Sequence, residues 1–322
     1  MLAVIYFSRS LSQKYYDMLK LRKKNAIIVG VNGQDGKILH NFLLNKNYIV
    51  TGLDRSNINL KNKNSIYSLI KKNKPSEVYY LAAFHHSSQD KPIKDEVLIK
   101  KSYEVNVLGL LYFLEAIKLY SSQTKIFYAA SSLLFGQVKT GRQTENSPFK
   151  PNTVYGATKL EGLNLCKFYR EQNNIFVSVG ILFNHESAYR SDKFITLKII
   201  KTALAIKNGK AKKLKVGDLA AAVDWGYAPD FVEAFWKILN SKKADDYIVA
   251  TGKKHTVKQF IIETFKQLGL DWAKYVVEKE SILTRQKAAV VGDFAKLRKA
   301  TGWKPKTSFS KMIGLIITDL QK

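Results

Sequence analysis

Short apolar runs alternate with longer amphipathic segments along the chain from residue 25 to about residue 185. The apolar runs predict strands, and they read KNAIIVG (24–30), YIVTGLD (48–54), SEVYYLAA (76–83), KIFYAAS (125–131) and IFVSVGILF (175–183). The segments between them carry apolar residues at helical spacing, as in KILHNFLLNKN (37–47) and VLIKKSYEVNVLGLLYFLEAIKLY (97–120). This alternation predicts a doubly wound α/β fold with a parallel sheet and right-handed crossovers.

The alternation loosens after about residue 185 into irregular segments and shorter helices. We therefore predict an N-terminal extension over residues 1–24 and a nucleotide-binding domain over residues 25–185. A smaller, partly helical lobe that binds the substrate is predicted over residues 186–322, with some interleaving between the two parts.

The first predicted strand ends in a glycine-rich turn, GVNGQDG (30–36), that opens the first helix. The chain must turn tightly there and approach a pyrophosphate, and the helix N-terminus attracts that anion. Glycine allows both at little conformational cost. The strand–turn–helix context predicts a Rossmann-type dinucleotide site that is formed by Gly30, Gly33, Gln34, Asp35 and Gly36.

The choice between NAD and NADP is predicted from the end of the second strand. Asp54 is an acidic residue about twenty positions after the glycines, where a carboxylate accepts hydrogen bonds from the adenosine ribose and repels a 2′-phosphate. Its neighbour Arg55 would instead pair with that phosphate. NAD is slightly favoured, and both residues are candidate cofactor contacts.

A tyrosine and a lysine four residues apart, Tyr155 and Lys159, share one face of a predicted helix. A cation beside a phenol favours the phenolate, so we expect the pKa of Tyr155 to fall from about 10. The phenolate would take the proton from a sugar hydroxyl while hydride leaves to a nicotinamide. Ser131 is predicted to bond the same hydroxyl, and Lys159 to hold the nicotinamide ribose.

Composition narrows the class of protein but does not identify it. The formal net charge is +27, and the lysines are spread over nearly every predicted helix. We therefore expect no specific nucleic-acid face, although the positive field would attract a phosphorylated substrate. A single cysteine, Cys166, excludes an internal disulfide and a cysteine-rich metal site. No apolar run reaches the length of a membrane span, and the cytoplasm is the expected compartment.

Beyond these patterns, the chain resembles the extended short-chain dehydrogenase/reductases and, within them, the GDP-mannose 4,6-dehydratases. The likeness runs from about residue 25 to residue 321. Its closest passages are GVNGQDG (30–36), GILFNHES (180–187), DWGYAPDFVEAFW (224–236), IVATG (248–252) and TGWKP (301–305). The resemblance implies a bound NAD or NADP, a GDP-linked sugar as substrate, a role in surface polysaccharide or glycan biosynthesis, and a homodimer or homotetramer.

The resemblance also implies roles for individual residues. Ser131, Tyr155 and Lys159 fall on the family's hydroxyl-binding and proton-transfer positions, and Asn184 falls on its substrate-contacting asparagine. Lys198 and Arg285 fall on basic positions expected near the nucleotide diphosphate.

Several family positions carry a different residue in this chain. The glutamate that performs the elimination in the dehydratases is replaced by Leu133, and leucine cannot move a proton. Val223 replaces an arginine before Asp-Trp-Gly, Asn59 replaces an adenine-contacting aspartate, and Asp54 replaces an arginine associated with NADP. Tyr189 replaces the first of two arginines that link the family's tetramer, which leaves Arg190.

His85 and His86 follow the third predicted strand, where the loop borders the substrate in this fold. Histidine titrates near neutrality, so either residue could replace the missing acid/base group. Only His86 matches a family histidine, and it is predicted to contact the substrate.

Three functions remain open from the sequence. The first is a GDP-sugar 4,6-dehydratase with a displaced acid/base group, acting on GDP-mannose or a relative such as GDP-N-acetylglucosamine. The second is a GDP-sugar carbon 4 oxidoreductase or epimerase, which needs only hydride removal and return. The third is a non-catalytic nucleotide-binding protein.

Overall fold

The computed structural model describes residues 23–86, 90–136, 141–279 and 290–322. Its central sheet has six strands: β1 (Asn25–Val29), β2 (Ile49–Leu53), β3 (Glu77–Tyr80), β4 (Lys125–Ala129), β5 (Val177–Leu182) and β6 (Asp246–Val249). Their order across the sheet is β2-β1-β3-β4-β5-β6, and each neighbouring pair is parallel. The predicted Rossmann-like doubly wound parallel sheet is therefore confirmed.

Helices cover both faces of this sheet, as the near-continuous apolar strands require. The helices of this half are α1 (Gln34–Asn45), α2 (Lys63–Asn73), α3 (Asp95–Tyr103), α4 (Gly109–Tyr120) and α5 (Val154–Asn173). Helices α2 and α4 pack together, as do α4 and α5, whereas α1 packs against α7 (Ala228–Leu239) from the later part of the chain. The strand order reverses between β1 and β3, and ligands of such folds bind at the carboxyl edge of that point.

The long helix predicted over 97–120 is divided in the structure. A π-helical turn, Glu104–Leu108, separates α3 from α4. The hydroxyl of Tyr80 donates to the carbonyl of Val105 at 2.6 Å, and a Cβ at Gly109 would lie 2.4 Å from that hydroxyl. The π-turn thus brings the carbonyl of Val105 to the hydroxyl of the buried Tyr80. The apolar spacing alone does not predict this contact.

A second, smaller hydrophobic core is built from later elements. Its helices are α6 (Ile195–Lys207), α8 (Val257–Gln267), α9 (Trp272–Tyr275) and α11 (Phe309–Gln321). Short strands form further pairs: 184–186 with 225–227, 222–223 with 255–256, and 214–216 with 276–278. Another short pair, 142–143 with 291–292, joins an earlier segment to a later one.

The two cores are interleaved along the chain. Helix α7, strand β6, and Leu297 of α10 (Ala295–Thr301) belong to the first core, although they follow residue 186. Trp303 joins them and donates from its indole nitrogen to the carbonyl of Asp230 at 2.8 Å. The domain boundary near residue 185 stays a prediction. In the described parts of the chain, no helix is both long enough and apolar enough to cross a membrane.

Candidate active site

The glycine turn between β1 and α1 leaves no room for side chains at two positions. Gly30 has a φ of +95°, and a Cβ there would lie 2.9 Å from the backbone nitrogen of Ala82. A Cβ at Gly36 would lie 2.3 Å from the carbonyl oxygen of Gly30. The turn is thus a tight backbone cradle at the N-terminus of a helix, and it fits the pyrophosphate of a dinucleotide.

Gln34 and Asp35, which follow the cradle, turn their side chains towards the segment 185–187. The Gln34 amide donates to the carbonyl of His185 at 3.0 Å, and the Ser187 hydroxyl donates to the Gln34 amide oxygen at 2.9 Å. The Asp35 carboxylate lies 3.0 Å from His185 Nε2. Their predicted cofactor contacts stay predictions, and the observed bonds tie the glycine turn to the family-like NHES passage.

His185 and Asp35 form an ion pair that is largely removed from solvent. Burial acts to lower the pKa of His185, but the charge and hydrogen bond of Asp35 outweigh it, so that pKa is raised. Burial acts to raise the pKa of Asp35, and His185 again outweighs it, so that pKa is lowered. His185 also donates from Nδ1 to the carbonyl of Phe183 at 2.7 Å and stacks on Phe231. Both shifts favour the charged pair near neutrality.

Asp54 lies at the end of β2, next to the glycine turn. The side-chain amide of Asn32, within the turn, donates to its carboxylate, and the backbone nitrogen of Ser56 donates to it at 2.7 Å. These hydrogen bonds, chiefly those from Ser56, lower the pKa of Asp54. A charged carboxylate beside the cradle is what a ribose contact needs. Arg55 is exposed next to it, and the contacts of both residues with a cofactor stay predictions.

Ser131, Tyr155 and Lys159 come together at the carboxyl end of β4. Ser131 caps the short 3₁₀ helix Ser132–Phe135, and its hydroxyl accepts from the backbone nitrogen of Leu133 at 3.2 Å. A Cβ at Gly156 would lie 2.7 Å from the carbonyl oxygen of Leu133, so the start of α5 packs directly on this turn. The fold therefore brings the serine turn and Tyr155 next to each other.

Lys159 is buried, with 1% of its surface exposed. Its ammonium group donates to the carbonyl of Ala129 at 2.8 Å and lies 5.8 Å from the ring centroid of Tyr155. Burial lowers the pKa of Lys159 to about 7. Burial raises the pKa of Tyr155 to about 12, and the positive charge of Arg190 opposes that rise.

The expected fall in the pKa of Tyr155 is thus contradicted by its surroundings. The lysine lies 5.8 Å from the ring centroid and is itself partly neutral near pH 7, and burial has removed water from around the phenol. With this raised pKa, Tyr155 is protonated near neutral pH. The positive charge of Arg190 favours loss of the phenol proton.

A stack of side chains forms one wall of the site beside Tyr155. The ring of His85 meets the ring of Tyr155 edge-on at 4.8 Å and stacks on Phe194 at 5.9 Å between centroids. The guanidinium of Arg190 covers Phe194 at 3.6 Å, and its Nε lies 3.4 Å from a buried carboxylate oxygen of Glu186. This wall joins the loop after β3 to the segment after the NHES passage.

The remaining predicted substrate residues are His86, Asn184, Lys198 and Arg285. The Nε2 of His86 lies 3.0 Å from the carbonyl oxygen of Lys91. Asn184 opens the strand 184–186 and is half-buried, and Lys198 is half-buried on α6. Arg285 lies outside the described residues. The substrate contacts of all four stay predictions.

Two residues of the site were missed or only partly recognised from the sequence. Asn106, in the π-turn, is buried and donates to the Thr158 hydroxyl at 3.0 Å, and its amide oxygen accepts from the backbone nitrogen of Phe84 at 2.9 Å. A single asparagine in the apolar run VNVLGLL was the available signal. The sequence identifies Arg190 only as the second of the two arginines that the family has there. Its position near Tyr155 depends on the fold.

Comparison with known proteins gives one consistent result. The sequence model of the family described as GDP-mannose 4,6 dehydratase matches residues 56–316. GDP-mannose 4,6 dehydratase 1 of Arabidopsis thaliana is 36% identical over 335 residues, which cover 94% of this chain and 91% of the relative. GDP-mannose 4,6-dehydratase of Vibrio cholerae is 30% identical, with 93% and 94% covered.

Solved structures show the same fold. RMD from Pseudomonas aeruginosa, complexed with NADPH, superposes with a TM-score of 0.82 at 23% identity and covers 92% of this chain and 98% of its own. dTDP-glucose 4,6-dehydratase from Bacillus anthracis, in complex with NAD, has a TM-score of 0.78 at 18% identity, with 92% and 96% covered.

Proposed function

The chain belongs to the GDP-mannose 4,6-dehydratase family of extended short-chain dehydrogenase/reductases, and from this membership we propose that it is a GDP-sugar 4,6-dehydratase. One structural observation supports the proposed reaction. Tyr155 and Lys159 lie at the carboxyl edge of the sheet beside the serine turn, with the glycine cradle at the end of β1 on the same edge. The family-like NHES and DWGYAPD passages, far apart in sequence, pair there as parallel strands, Asn184 opposite Trp225.

The enzyme uses a nicotinamide cofactor, and the glycine cradle with Asp54 would hold its adenosine half. When bound, this cofactor supplies the acceptor for the hydride of carbon 4 and returns that hydride later in the same turnover. We propose NAD over NADP, because the charged Asp54, held by hydrogen bonds from Asn32 and Ser56, is suited to a ribose contact.

The chain's own residues handle the protons at carbon 4. Tyr155 takes the proton of the 4-hydroxyl, with the positive charges of Arg190 and protonated Lys159 favouring its ionised form. A serine hydroxyl donates one hydrogen bond and accepts two, so Ser131 can accept from Leu133 and still bond the same sugar hydroxyl. Asn184, Lys198 and Arg285 are proposed to hold the sugar and its diphosphate. A homodimer or homotetramer is proposed from the family likeness alone.

The substitution Tyr155→Phe tests this assignment. It removes the proton acceptor while keeping the ring that His85 contacts, so we expect cofactor reduction by a GDP-sugar to fall by about 10²–10⁴-fold. The measurement is a panel of GDP-sugars incubated with purified protein and cofactor, with product masses and nicotinamide absorbance recorded. Tyr103→Phe, at an exposed tyrosine, is the matched control and should react normally. Unchanged turnover in Tyr155→Phe would contradict the proposal.

Leu133 favours a second candidate function. A carbon 4 oxidoreductase or epimerase needs no elimination base, so leucine in the serine turn is harmless to it. The two reactions differ in product mass, since only dehydration gives a sugar nucleotide lighter by one water. The same incubation therefore separates them.

A further inference from the structure

Dehydration needs a group that moves a proton at carbon 5, and the serine turn does not provide it. Leu133 is half-buried, and its backbone packs against the start of α5. Two carboxylates near the site are engaged elsewhere. Asp35 is paired with His185, and the carboxylate of Glu186 is 1% exposed and accepts from Thr196 at 2.6 Å.

Two histidines follow β3, and the structure separates their roles. The imidazole of His85 lies against the ring of Tyr155 at 4.8 Å, whereas His86 reaches the carbonyl of Lys91. The C4 hydroxyl must lie at the phenol of Tyr155 for its proton to be taken, and carbon 5 is the adjacent ring atom. Of the two imidazoles, only His85 therefore borders the part of the sugar that eliminates water.

Two kinds of contact fix the position of His85: a hydrogen bond to the neighbouring backbone and ring packing on the imidazole. Asn106 holds the backbone of the preceding residue, Phe84, through the bond to its nitrogen at 2.9 Å, and it bonds Thr158 on α5 at 3.0 Å. Thr158 lies between Tyr155 and Lys159 on the same helix. Phe194 stacks on the imidazole, and the guanidinium of Arg190 covers Phe194. The imidazole is thus held against the helix that carries the catalytic tyrosine.

We propose that His85 is a catalytic residue that moves the elimination proton in place of the family's glutamate, an assignment that rests on the proposed function. In the 4-keto sugar, the C5–H bond breaks and its proton goes to an imidazole nitrogen of His85. The electron pair forms the C5=C6 double bond, and the C6–O6 bond breaks. His85 gives the proton to the departing oxygen, so water leaves and the imidazole is neutral again. The C5=C6 double bond is then saturated: the hydride held by the nicotinamide would add at carbon 6, and the proton that Tyr155 took at carbon 4 goes to carbon 5.

A neutral imidazole is suited to this exchange because it accepts and releases a proton near neutral pH. The assignment also explains how leucine is tolerated at position 133. His85 lies in the loop after β3, against Tyr155, and Leu133 lies in the turn after β4, against the start of the helix that carries Tyr155. The proton-accepting side chain can therefore belong to either element without a change in the backbone.

The experiment compares His85→Gln with His40→Gln in single turnovers with the GDP-sugar that the wild-type enzyme dehydrates. We expect His85→Gln to reduce its cofactor at a rate within a few-fold of the wild type, while water loss falls by about 10²–10⁴-fold. The 4-keto sugar should accumulate, and uptake of deuterium at carbon 5 from heavy water should cease. His40→Gln, the control at a histidine of α1 to which no site role is assigned, should dehydrate normally.

A double variant and a second substitution keep the test decisive. His85→Gln combined with Leu133→Glu should regain water loss, because the carboxylate returns to the serine turn. If His85→Gln does not fold, as judged by circular dichroism, His85→Asn takes its place in the same assays.

Dehydration at the wild-type rate in His85→Gln would overturn the role of His85 alone. Loss of cofactor reduction together with dehydration would also overturn it, because His85 would then act by positioning Tyr155. A wild-type protein that reduces its cofactor yet forms no dehydrated product from any GDP-sugar would instead overturn the proposed dehydratase, and the role of His85 with it.

Discussion

The turn after β1 and the turn after β4 both lie at the carboxyl edge of the sheet, yet they tolerate sequence change differently. In the glycine turn the function belongs to the backbone, and Gly30 and Gly36 leave no space for any side chain. In the serine turn the backbone is equally confined, since a Cβ at Gly136 would lie 1.8 Å from the carbonyl oxygen of Lys150. The chemistry that the family resemblance assigns to this turn, however, would belong to the side chain at position 133.

This difference indicates which part of the proposed reaction, cofactor binding or elimination, can change through a single substitution. Replacing Gly30 or Gly36 of the first turn disrupts the cradle itself. Replacing the residue at position 133 keeps the turn and changes only what projects from it. Under the proposed function, the residues assigned to oxidation are retained in this chain, and the residue assigned to elimination is replaced by Leu133.

The substitution Gly36→Ala would break this contrast most directly. Its methyl group would lie 2.3 Å from the Gly30 carbonyl, so the turn must open. Overpacking of this kind costs about 1–3 kcal/mol, and we expect cofactor affinity to fall by up to about 100-fold. Calorimetric titration with NAD measures the effect.

Gly33→Ala is the matched control within the same turn. Gly33 has a φ of −71°, and its added methyl group would lie 3.3 Å from the Gly30 carbonyl, a much milder approach. Equal losses of affinity in both variants would mean that the tight contact at Gly36 does not define the cradle.

A smaller effect is expected from Asp54→Ala, which tests the side-chain part of the cofactor site. Losing the hydrogen bonds of this carboxylate to the ribose should make NAD bind about tenfold more weakly. NADP should lose less, because the charge that repels its 2′-phosphate is removed as well. Titrations with both dinucleotides give the ratio, with the exposed Asp192→Ala as control. An unchanged ratio would remove Asp54 from cofactor choice.

The smallest expected effect concerns the link between the glycine turn and the segment 185–187, and it depends on pH. Asp35 has a lowered pKa, so its contribution to stability is present above its ordinary value of 3.8 and is lost in acid. His185 has a raised pKa, so its contribution is complete below 6.5 and is lost as the pH rises through the raised value. The pair is therefore most stabilising between these two values.

His185→Gln should cost about 1 kcal/mol at about pH 5.5, and the difference from the wild type should shrink at about pH 8.5. Urea unfolding at the two pH values measures it. His40→Gln, on the same helix as Asp35, is the control and should show the same difference at both. A cost for His185→Gln that does not change with pH would show that the charged pair does not stabilise the link.

Much of the fold follows from local pattern, whereas the site depends on contacts between distant residues. The apolar runs place the first five strands of the sheet, because buried parallel strands read as continuous apolar segments. Strand β6, after the pattern loosens, was not distinguished from the second lobe. The π-turn could not be predicted, because it depends on a hydrogen bond from Tyr80, a residue of another element.

Within the site, spacing alone placed Tyr155 and Lys159 on one face of α5. The direction of the Tyr155 pKa was wrong, because burial is a property of the folded surroundings and not of the four-residue interval. The choice between His85 and His86 was equally out of reach, since the two are neighbours in sequence and differ only in which way their rings point.

The interleaving of the two cores limits how this protein can be shortened. A fragment that stops near residue 185 would lack α7, which covers one face of the sheet, and β6, which borders β5. It would present an uncovered apolar face and an open strand edge, the combination that leads isolated sheets to aggregate. Expression of the nucleotide-binding half alone should therefore yield inclusion bodies, and a useful minimal fragment must extend past Trp303.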